Sequence, residues 1–207
     1  MTKVIGIAGG TASGKTSIIH QLEQDLGGRG MVITMDAYYK PYQEYSFEER
    51  VRFNYDHPDA FDIDRLIADL NMLLSGQTVE IPVYDYVNYT RSEETIAAEP
   101  KPVILLEGLF VLYFPALQPL LDLKVFIDAD ADTRLIRRIR RDQLERGRSL
   151  ASILDQYEET IKPMHEAFVL PTKSHADLII PRGAENIQGV TILRNHVKRL
   201  AEAEEER

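Results

Sequence analysis

The stretch GGTASGKT, Gly9 to Thr16, follows the apolar run KVIGIA (3–8) and leads straight into SIIHQLEQDL (17–26). A buried strand, a glycine-rich turn and a helix in that order, with the spacing G-x-x-x-x-G-K-[ST], describe a phosphate-binding loop. Glycine lets successive backbone N–H groups curl around a β-phosphate with no Cβ in the way, and the start of the helix adds positive potential. The ammonium of Lys15 reaches β- and γ-oxygens, and the hydroxyl of Thr16 is placed for Mg²⁺. Gly9, Gly10, Thr11, Ala12, Ser13, Gly14, Lys15, Thr16 and Ser17 are therefore the expected cradle for a nucleoside triphosphate. A chance glycine-rich turn would not require both flanking elements to match.

Outward from the loop, short apolar runs alternate with helical patterns. Besides 3–8, MVITM (31–35), PVILLE (102–107), LKVFID (123–128) and DLIIP (177–181) have the length and composition of fully buried strands. DIDRLIADLNMLLSG (62–76) places Ile63, Leu66, Ile67, Leu70, Leu73 and Leu74 at helical spacing, and Gly76 can end that helix. Further helices are expected near 14–26, 131–146, 150–168 and 187–203. The alternation predicts an α/β fold of the P-loop NTPase type, a mainly parallel sheet flanked by helices. Residues 79–99 stand apart as a small β-hairpin excursion, with Pro82 marking an edge strand. The whole chain, 1–207, is expected to form one domain around one core. The terminal AEAEEER is expected to be a frayed, solvated helix end.

Composition excludes several classes. The 207 residues carry a net charge of −9, which would repel nucleic-acid phosphates and anionic membranes on average. No nucleic-acid partner is expected. There is no cysteine, so neither a disulfide nor a thiolate site can form, in keeping with a reducing compartment. The most apolar window, VILLEGLFVLYFPALQPLL (103–121), is interrupted by Glu107, Pro115 and Pro119, which suits a soluble core and not a membrane span. The stretch MTKVIGIAGG lacks a basic region followed by a long apolar run, so no signal peptide is expected.

Two acids close two of the predicted strands, Asp36 after MVITM and Glu107 after PVILL. In an open parallel sheet the carboxyl ends of the strands share the ligand-binding edge, so these acids should meet the phosphate loop. Glu107 then serves Mg²⁺ directly or through water, and Asp36 accepts a proton from an attacking hydroxyl. Seven arginines crowd RLIRRIRRDQLERGRS (134–149). Arg134, Arg138 and Arg141 share a helix face, while Leu135, Ile136 and Ile139 can face the core. Arginines that close over a transferring phosphoryl group stabilise its charge and exclude water. The alternative is a solvated basic face paired with Asp130, Asp132, Asp142 and Glu145, and it applies to part of the cluster.

Together GIAGGTASGKT, MDAYYK, NYDHPDAFD, IPVYDYVNYTR, ILLEG, RRIRRDQLERGRS, QYEETIKPMH and PTKSHADLIIPRG resemble the uridine–cytidine kinase family over nearly the whole chain. The resemblance implies transfer of the γ-phosphate of ATP, or GTP, to the 5′-hydroxyl of uridine or cytidine in pyrimidine salvage. It implies Mg²⁺ dependence and a cytoplasmic homotetramer inhibited by end-product triphosphates. By position, it makes Asp36 the catalytic base and Thr16 and Glu107 the magnesium-associated residues. Asp56 becomes the acid that holds the ribose hydroxyls; Tyr84, Arg138, Arg148 and Gln156 become nucleoside contacts. Arg141 belongs to an arginine-rich lid, 134–148, over the ATP phosphates, and Glu185 matches an adenine-side position that is often Asp. Asp56 could instead cap the turn before Pro58, and Gln156 could be an ordinary exposed residue of an amphipathic helix. His57 and His165 are structural or surface histidines.

Three tyrosines in IPVYDYVNYTR (81–91) carry the specificity question. Strand periodicity puts Tyr84 and Tyr86 on opposite faces, with Tyr84 toward ligand and Tyr86 packed on the domain or at a subunit interface. Tyr89 occupies a position where many family members carry a histidine facing the pyrimidine edge. Neutral imidazole offers one donor and one acceptor and can serve cytosine or uracil, whereas a phenol is longer and has a single oxygen. Cytidine is then expected to be favoured over uridine, unless water fills the difference and the replacement is neutral. Phosphoribulokinase and pantothenate kinase resemble the same family, but aromatics in the hairpin suit a flat base better than an aliphatic substrate. A nucleotide-sensing switch would want an N-K-x-D guanine-reading stretch, which is absent.

Overall fold

The computed structural model describes residues 2–203; residues 204–207, most of the AEAEEER tail, lie outside the described part. Five strands, β1 (Lys3–Ala8), β2 (Gly30–Thr34), β5 (Val103–Glu107), β6 (Leu123–Ile127) and β7 (Leu178–Ile180), form one sheet in the order β2-β5-β1-β6-β7. Every pairing in it is parallel. The strands pair almost where the apolar runs placed them, because a strand buried on both faces must be apolar at every position.

The alternation of side chains along these strands sorts the core into two layers. Ile5 and Ile7 of β1 with Val103 and Leu105 of β5 face helices α1 (Lys15–Leu26) and α7 (Ile187–Glu202), meeting Ile18, Leu22, Leu193 and Val197. Val4, Ala8, Ile104 and Leu106 face the other way, onto Leu66, Leu70 and Leu73 of α3 (Ile63–Leu74) and onto Phe110. The Asp62 carboxylate caps α3 by accepting from Arg65 N–H at 3.3 Å, and Gly76 ends it at φ 84°. Helices α1 and α7 are tied by Asp25, which accepts from Arg194 at 2.5 and 2.9 Å and pairs with Lys198 at 3.0 Å. Those hydrogen bonds from Arg194 hold the Asp25 carboxyl down to about 2.

Register is what builds the site. Thr34, Glu107 and Ile7 lie in one row across β2, β5 and β1. Chain leaving that row reaches Gly9 two residues after Ile7 and Asp36 two residues after Thr34, so loop and acids emerge at one edge. Strands β3 (Val79–Asp85) and β4 (Thr90–Ala98) form the separate antiparallel hairpin, with a register shift between Pro82 and Tyr84. Arg91 donates to Asp62 at 2.9 Å and Thr90 donates to the Pro41 carbonyl at 2.6 Å, which fastens the hairpin beside the sheet edge. The intervening segment carries a short helix α2 (Phe47–Arg50), closed by a capping box between Ser46 and Glu49.

Three expectations need correction. The helix expected over 150–168 is present without a break but is not plain α-helix: α5 (Leu150–Gln156) passes through a π-helical turn (Tyr157–Ile161), α6 (Lys162–Met164) and a second π-helical turn (His165–Val169). Pro163 has no N–H to give the carbonyl four residues back, so the wider turns absorb the defect. Helix α4 (Ala131–Arg146) inverts the expected pattern. Its buried stripe is Arg134, Arg138 and Asp142, whereas Ile136 is 49% exposed and Leu135 and Ile139 are only half-buried. The helix packs on the site and not on the apolar core, so its charged face is the covered one. Tyr86 is the third: β3 ends at Asp85, so strand alternation no longer applies at 86. Tyr86 turns to the same side as Tyr84, their rings 5.3 Å apart.

Candidate active site

The phosphate loop leaves β1 at Gly9, whose φ of 148° belongs to glycine; a Cβ there would strike the Ile127 carbonyl. Gly14, at φ 101°, precedes α1 and starts it without a side-chain cap, so the first amides of the helix stay available to a ligand. Within the loop, Lys15 is 9% exposed and donates from Nζ to the carbonyls of Gly9 at 2.8 Å and Gly10 at 3.1 Å. Burial lowers its pKa, opposed by the charges of Glu107 and Asp36.

Above the loop lies a cavity of about 1190 Å³, wide enough for two small molecules. Thr11, Ala12, Ser13, Gly14, Lys15, Thr16 and Ser17 form one end. Asp36 and Glu107 stand beside Lys15, and Asp56, Tyr84 and Tyr89 also line the cavity. Arg138, Arg141, Arg148 and Gln156 form the roof. The predicted residues therefore converge, apart from Gly9 and Gly10, which turn their carbonyls to Lys15 and do not line the cavity, and Glu185. Glu185 lies outside the cavity wall and accepts from Arg137 at 2.5 Å, while Arg137 also donates to the Ser13 carbonyl at 3.5 Å.

Each acid has a distinct environment. Burial, reinforced by Glu107, pushes the Asp36 carboxyl up to about 7, with Lys15 pulling the other way. Glu107 accepts from the Thr34 hydroxyl at 2.8 Å, which fixes one carboxylate oxygen and leaves the other for a ligand. Burial raises Asp56 as well, and Arg138 opposes it. The turn before Pro58 is capped by His57, whose Nδ1 accepts from Asp59 N–H at 3.2 Å, so Asp56 is not occupied by turn capping. His57 packs edge-on against Phe168. His165 is structural: it lies against Gly10 of the loop, and burial with Arg134 and Lys15 nearby pushes its imidazole down to about 4, keeping it neutral. Arg134, expected to face the phosphates with Arg138 and Arg141, instead donates from Nε to the Ala129 carbonyl at 3.1 Å and supports Gly10 from behind.

Several wall residues escaped the sequence reading. Tyr39, Tyr55 and Tyr86 join Tyr84 and Tyr89 along the cavity. Tyr39 packs on Tyr84 at 5.1 Å and Tyr55 on Tyr89 at 5.7 Å. Arg137 and Arg146 add to the basic roof. The density of tyrosine in MDAYYKPYQEY (35–45) was the available signal for Tyr39; Tyr55 and Tyr86 lie outside that stretch, and only the tertiary fold reveals that their rings reach the cavity.

A P-loop at the carboxyl edge of a parallel sheet, facing a cavity with room for a second molecule, defines a P-loop phosphotransferase. The chain belongs to the phosphoribulokinase/uridine kinase family, whose family model matches residues 4–188. A uridine kinase of Staphylococcus haemolyticus is 48% identical over 200 residues, covering 96% of this chain and 97% of the relative. One from Lactococcus lactis subsp. cremoris is 50% identical over 197 residues, covering 95% and 96%. Among solved structures, phosphoribulokinase from Rhodobacter spheroides superposes with a TM-score of 0.65 at 16% identity, covering 87% of this chain and 70% of that one. D-glycerate 3-kinase from Cryptococcus neoformans gives 0.63 at 16% identity, covering 87% and 86%. Those two likenesses establish the fold alone. No helix among the described residues is long and apolar enough to cross a membrane.

Proposed function

We propose that the protein transfers the γ-phosphate of ATP to the 5′-hydroxyl of a pyrimidine ribonucleoside, cytidine in preference to uridine, in pyrimidine salvage. The observation that carries this is the placement of Asp36, a half-buried carboxyl pushed up to about 7, beside Lys15 of the phosphate loop and in the wall of a tyrosine-lined cavity. Asp36 takes the proton of the 5′-hydroxyl as that oxygen bonds to the γ-phosphorus, and the bond from phosphorus to the ADP oxygen breaks. Lys15 and Arg141 face the charge that develops on the phosphoryl oxygens. Asp56, free of any cap, accepts from the ribose hydroxyls, while Tyr84, Tyr89, Arg138, Arg148 and Gln156 bound the base. The loop from Gly9 to Ser17 holds the triphosphate, and Glu185 stands on the adenine side through Arg137.

Thr16 and the free oxygen of Glu107 are the residues that would hold Mg²⁺. Hydroxyl plus carboxylate is a hard-oxygen set, and no group of three His, Asp or Glu residues among the described ones offers a closed cage. That suits a cation that takes its remaining ligands from phosphates and water, and when bound it neutralises phosphate charge. GTP in place of ATP, a cytoplasmic location and a homotetrameric assembly belong to the same reading, on the strength of the family.

Tyr89 bears on the choice of base. It closes the β3–β4 turn at φ 50°, and its ring lies between Tyr55 and Phe47. That conformation is unusual for a tyrosine but tolerated by histidine, so Tyr89→His leaves the turn intact. A polar group unpaired against the wrong base is worth about 1–3 kcal/mol, roughly ten- to hundredfold. We expect kcat/KM to favour cytidine by that factor in the native protein, and Tyr89→His to bring uridine up to parity. Equal values for both bases in both proteins would end the specificity reading, and nucleoside-independent ATP turnover would end the kinase reading. Asp56→Ala is expected to raise the nucleoside KM by at least about tenfold, as for a lost charged hydrogen bond, with the ATP KM unchanged; steady-state kinetics in each substrate decide it.

A further inference from the structure

Asp142 is fully buried on α4 yet does not line the cavity. Around its carboxylate stand four arginines, all of which do. Oδ1 receives Arg141, whose Nε and Nη2 both lie at 2.8 Å, and faces Arg146 at 3.6 Å. Oδ2 faces Arg138 at 3.5 Å and Arg148 at 3.7 Å. The last two share an acceptor, Gln156 Oε1, at 2.8 Å from Arg138 and 2.5 Å from Arg148, while Arg138 also donates to the Thr11 hydroxyl of the phosphate loop at 3.3 Å and Arg148 to Ser152 Oγ at 3.0 Å. The backbone enforces the gathering. The Asp142 carbonyl accepts from Gly147 and from Arg148, and Gly147 turns the chain back at φ 62°, bringing Arg148 alongside Arg138.

Four guanidiniums around one roof repel one another, and without a counter-charge they would splay toward water. The two oxygens of Asp142 divide that set. Oδ1 serves Arg141, whose charge reaches Lys15 of the loop, and Arg146, whose charge reaches Asp36. Oδ2 faces Arg138 and Arg148, which share Gln156, and the charge of Arg138 reaches Asp56. We propose that Asp142 is a positioning residue that couples the two halves of the site, so that a triphosphate drawing on Arg141 re-aims Arg138 and Arg148 over the nucleoside. A phosphate that takes over Arg141 frees Oδ1 and strengthens the hold of the carboxylate on the remaining cations. Occupancy of one half therefore prepares the other. This inference rests on the nucleoside kinase reading above.

The test separates charge from shape. Cytidine affinity is measured by calorimetry with and without a non-hydrolysable ATP analogue and Mg²⁺, in the native protein, Asp142→Asn and Asp142→Glu. The native protein should bind cytidine at least about fivefold more tightly with the analogue present, the lower end of ordinary coupling. Asp142→Asn keeps the buried shape and loses the charge; the tightening should fall to nearly nothing, and kcat with it. Asp142→Glu keeps the charge in a cramped site and should retain part of the tightening. A purely packing role predicts the opposite ranking, Asn harmless and Glu damaging, and that result overturns the proposal. So does a native protein that phosphorylates cytidine without any tightening, or an Asp142→Asn chain that does not fold, which would make Asp142 a stability residue. A native protein that neither binds nor phosphorylates any nucleoside overturns the underlying functional reading instead.

Discussion

Asp36→Asn should lower kcat by about 10²–10⁴-fold, the ordinary worth of a positioned general base, while ATP binds much as before. The exchange keeps the shape of the side chain and removes the basic oxygen that could take up a proton. Binding should survive because the phosphate contacts come from the loop and the arginine roof; among them Lys15 feels the charge of Asp36, but Glu107 acts on it more strongly. Rapid-quench measurement of the phosphoryl-transfer step, beside a separate titration of ATP, distinguishes the two effects. Turnover near that of the native protein would remove Asp36 from the mechanism.

The same carboxyl predicts a pH dependence with a definite sign. Burial and the neighbouring Glu107 raise it to about 7, so below that value the free enzyme carries it protonated and unable to accept. The log of kcat/KM for the nucleoside should fall by about one per pH unit on the acid side, and Asp36→Asn should flatten that limb. Stability runs the other way. Between the ordinary carboxyl value of 3.8 and about 7 the folded state holds a proton that the unfolded chain has lost. The contribution of Asp36 to stability is therefore present at low pH and lost as pH rises through 7. Above 7 a half-buried, poorly solvated charge remains, and the asparagine variant escapes it. Relief of even ~1 kcal/mol would raise Tm by roughly 2–4 °C at pH 8 for a chain of this size.

The contrast between what the residues revealed and what they concealed follows the physics of burial. Strands β1, β2, β5, β6 and β7 were legible because both faces of a parallel sheet are covered, leaving uninterrupted apolar runs. Asp36, Glu107 and the phosphate loop were legible because strand ends share an edge whatever the intervening chain does. Helix α4 misled because periodicity finds an apolar face and assumes it is the covered one; here Arg138 and Asp142 are covered by the site while Ile136 meets solvent. Tyr86 misled because a one-residue difference in where β3 ends decides whether alternation still holds. Thr34 had no signal of its own. Only the register of β2 against β5 sets its hydroxyl on Glu107. The π-helical turns around Pro163 were announced by the proline, but their width, which brings Ile161 to the cavity wall, was not.

Lys15→Met should reduce kcat/KM by about 10²–10³-fold, as the loss of one preorganised donor does, and should weaken ATP binding as well. Methionine preserves the length and much of the volume, so the fold of the loop is tested separately from the charge. The ammonium has two tasks in this geometry. It satisfies the carbonyls of Gly9 and Gly10, which would otherwise lack that donor, and it faces the phosphates of the triphosphate. Adenosine, which has no phosphates, should bind the variant and the native protein equally; ATP should not. Arginine is not expected to rescue, because a planar fork cannot replace a compact ammonium inside a pocket where Lys15 is already nearly covered. One consequence reaches Asp36. Lys15 opposes the upward pull of burial on that carboxyl, so its removal should drive the acid limb of the rate profile to higher pH. An unchanged limb, with ATP and adenosine affinities altered alike, would mean that Lys15 shapes the loop and takes no part in the electrostatics of the reaction.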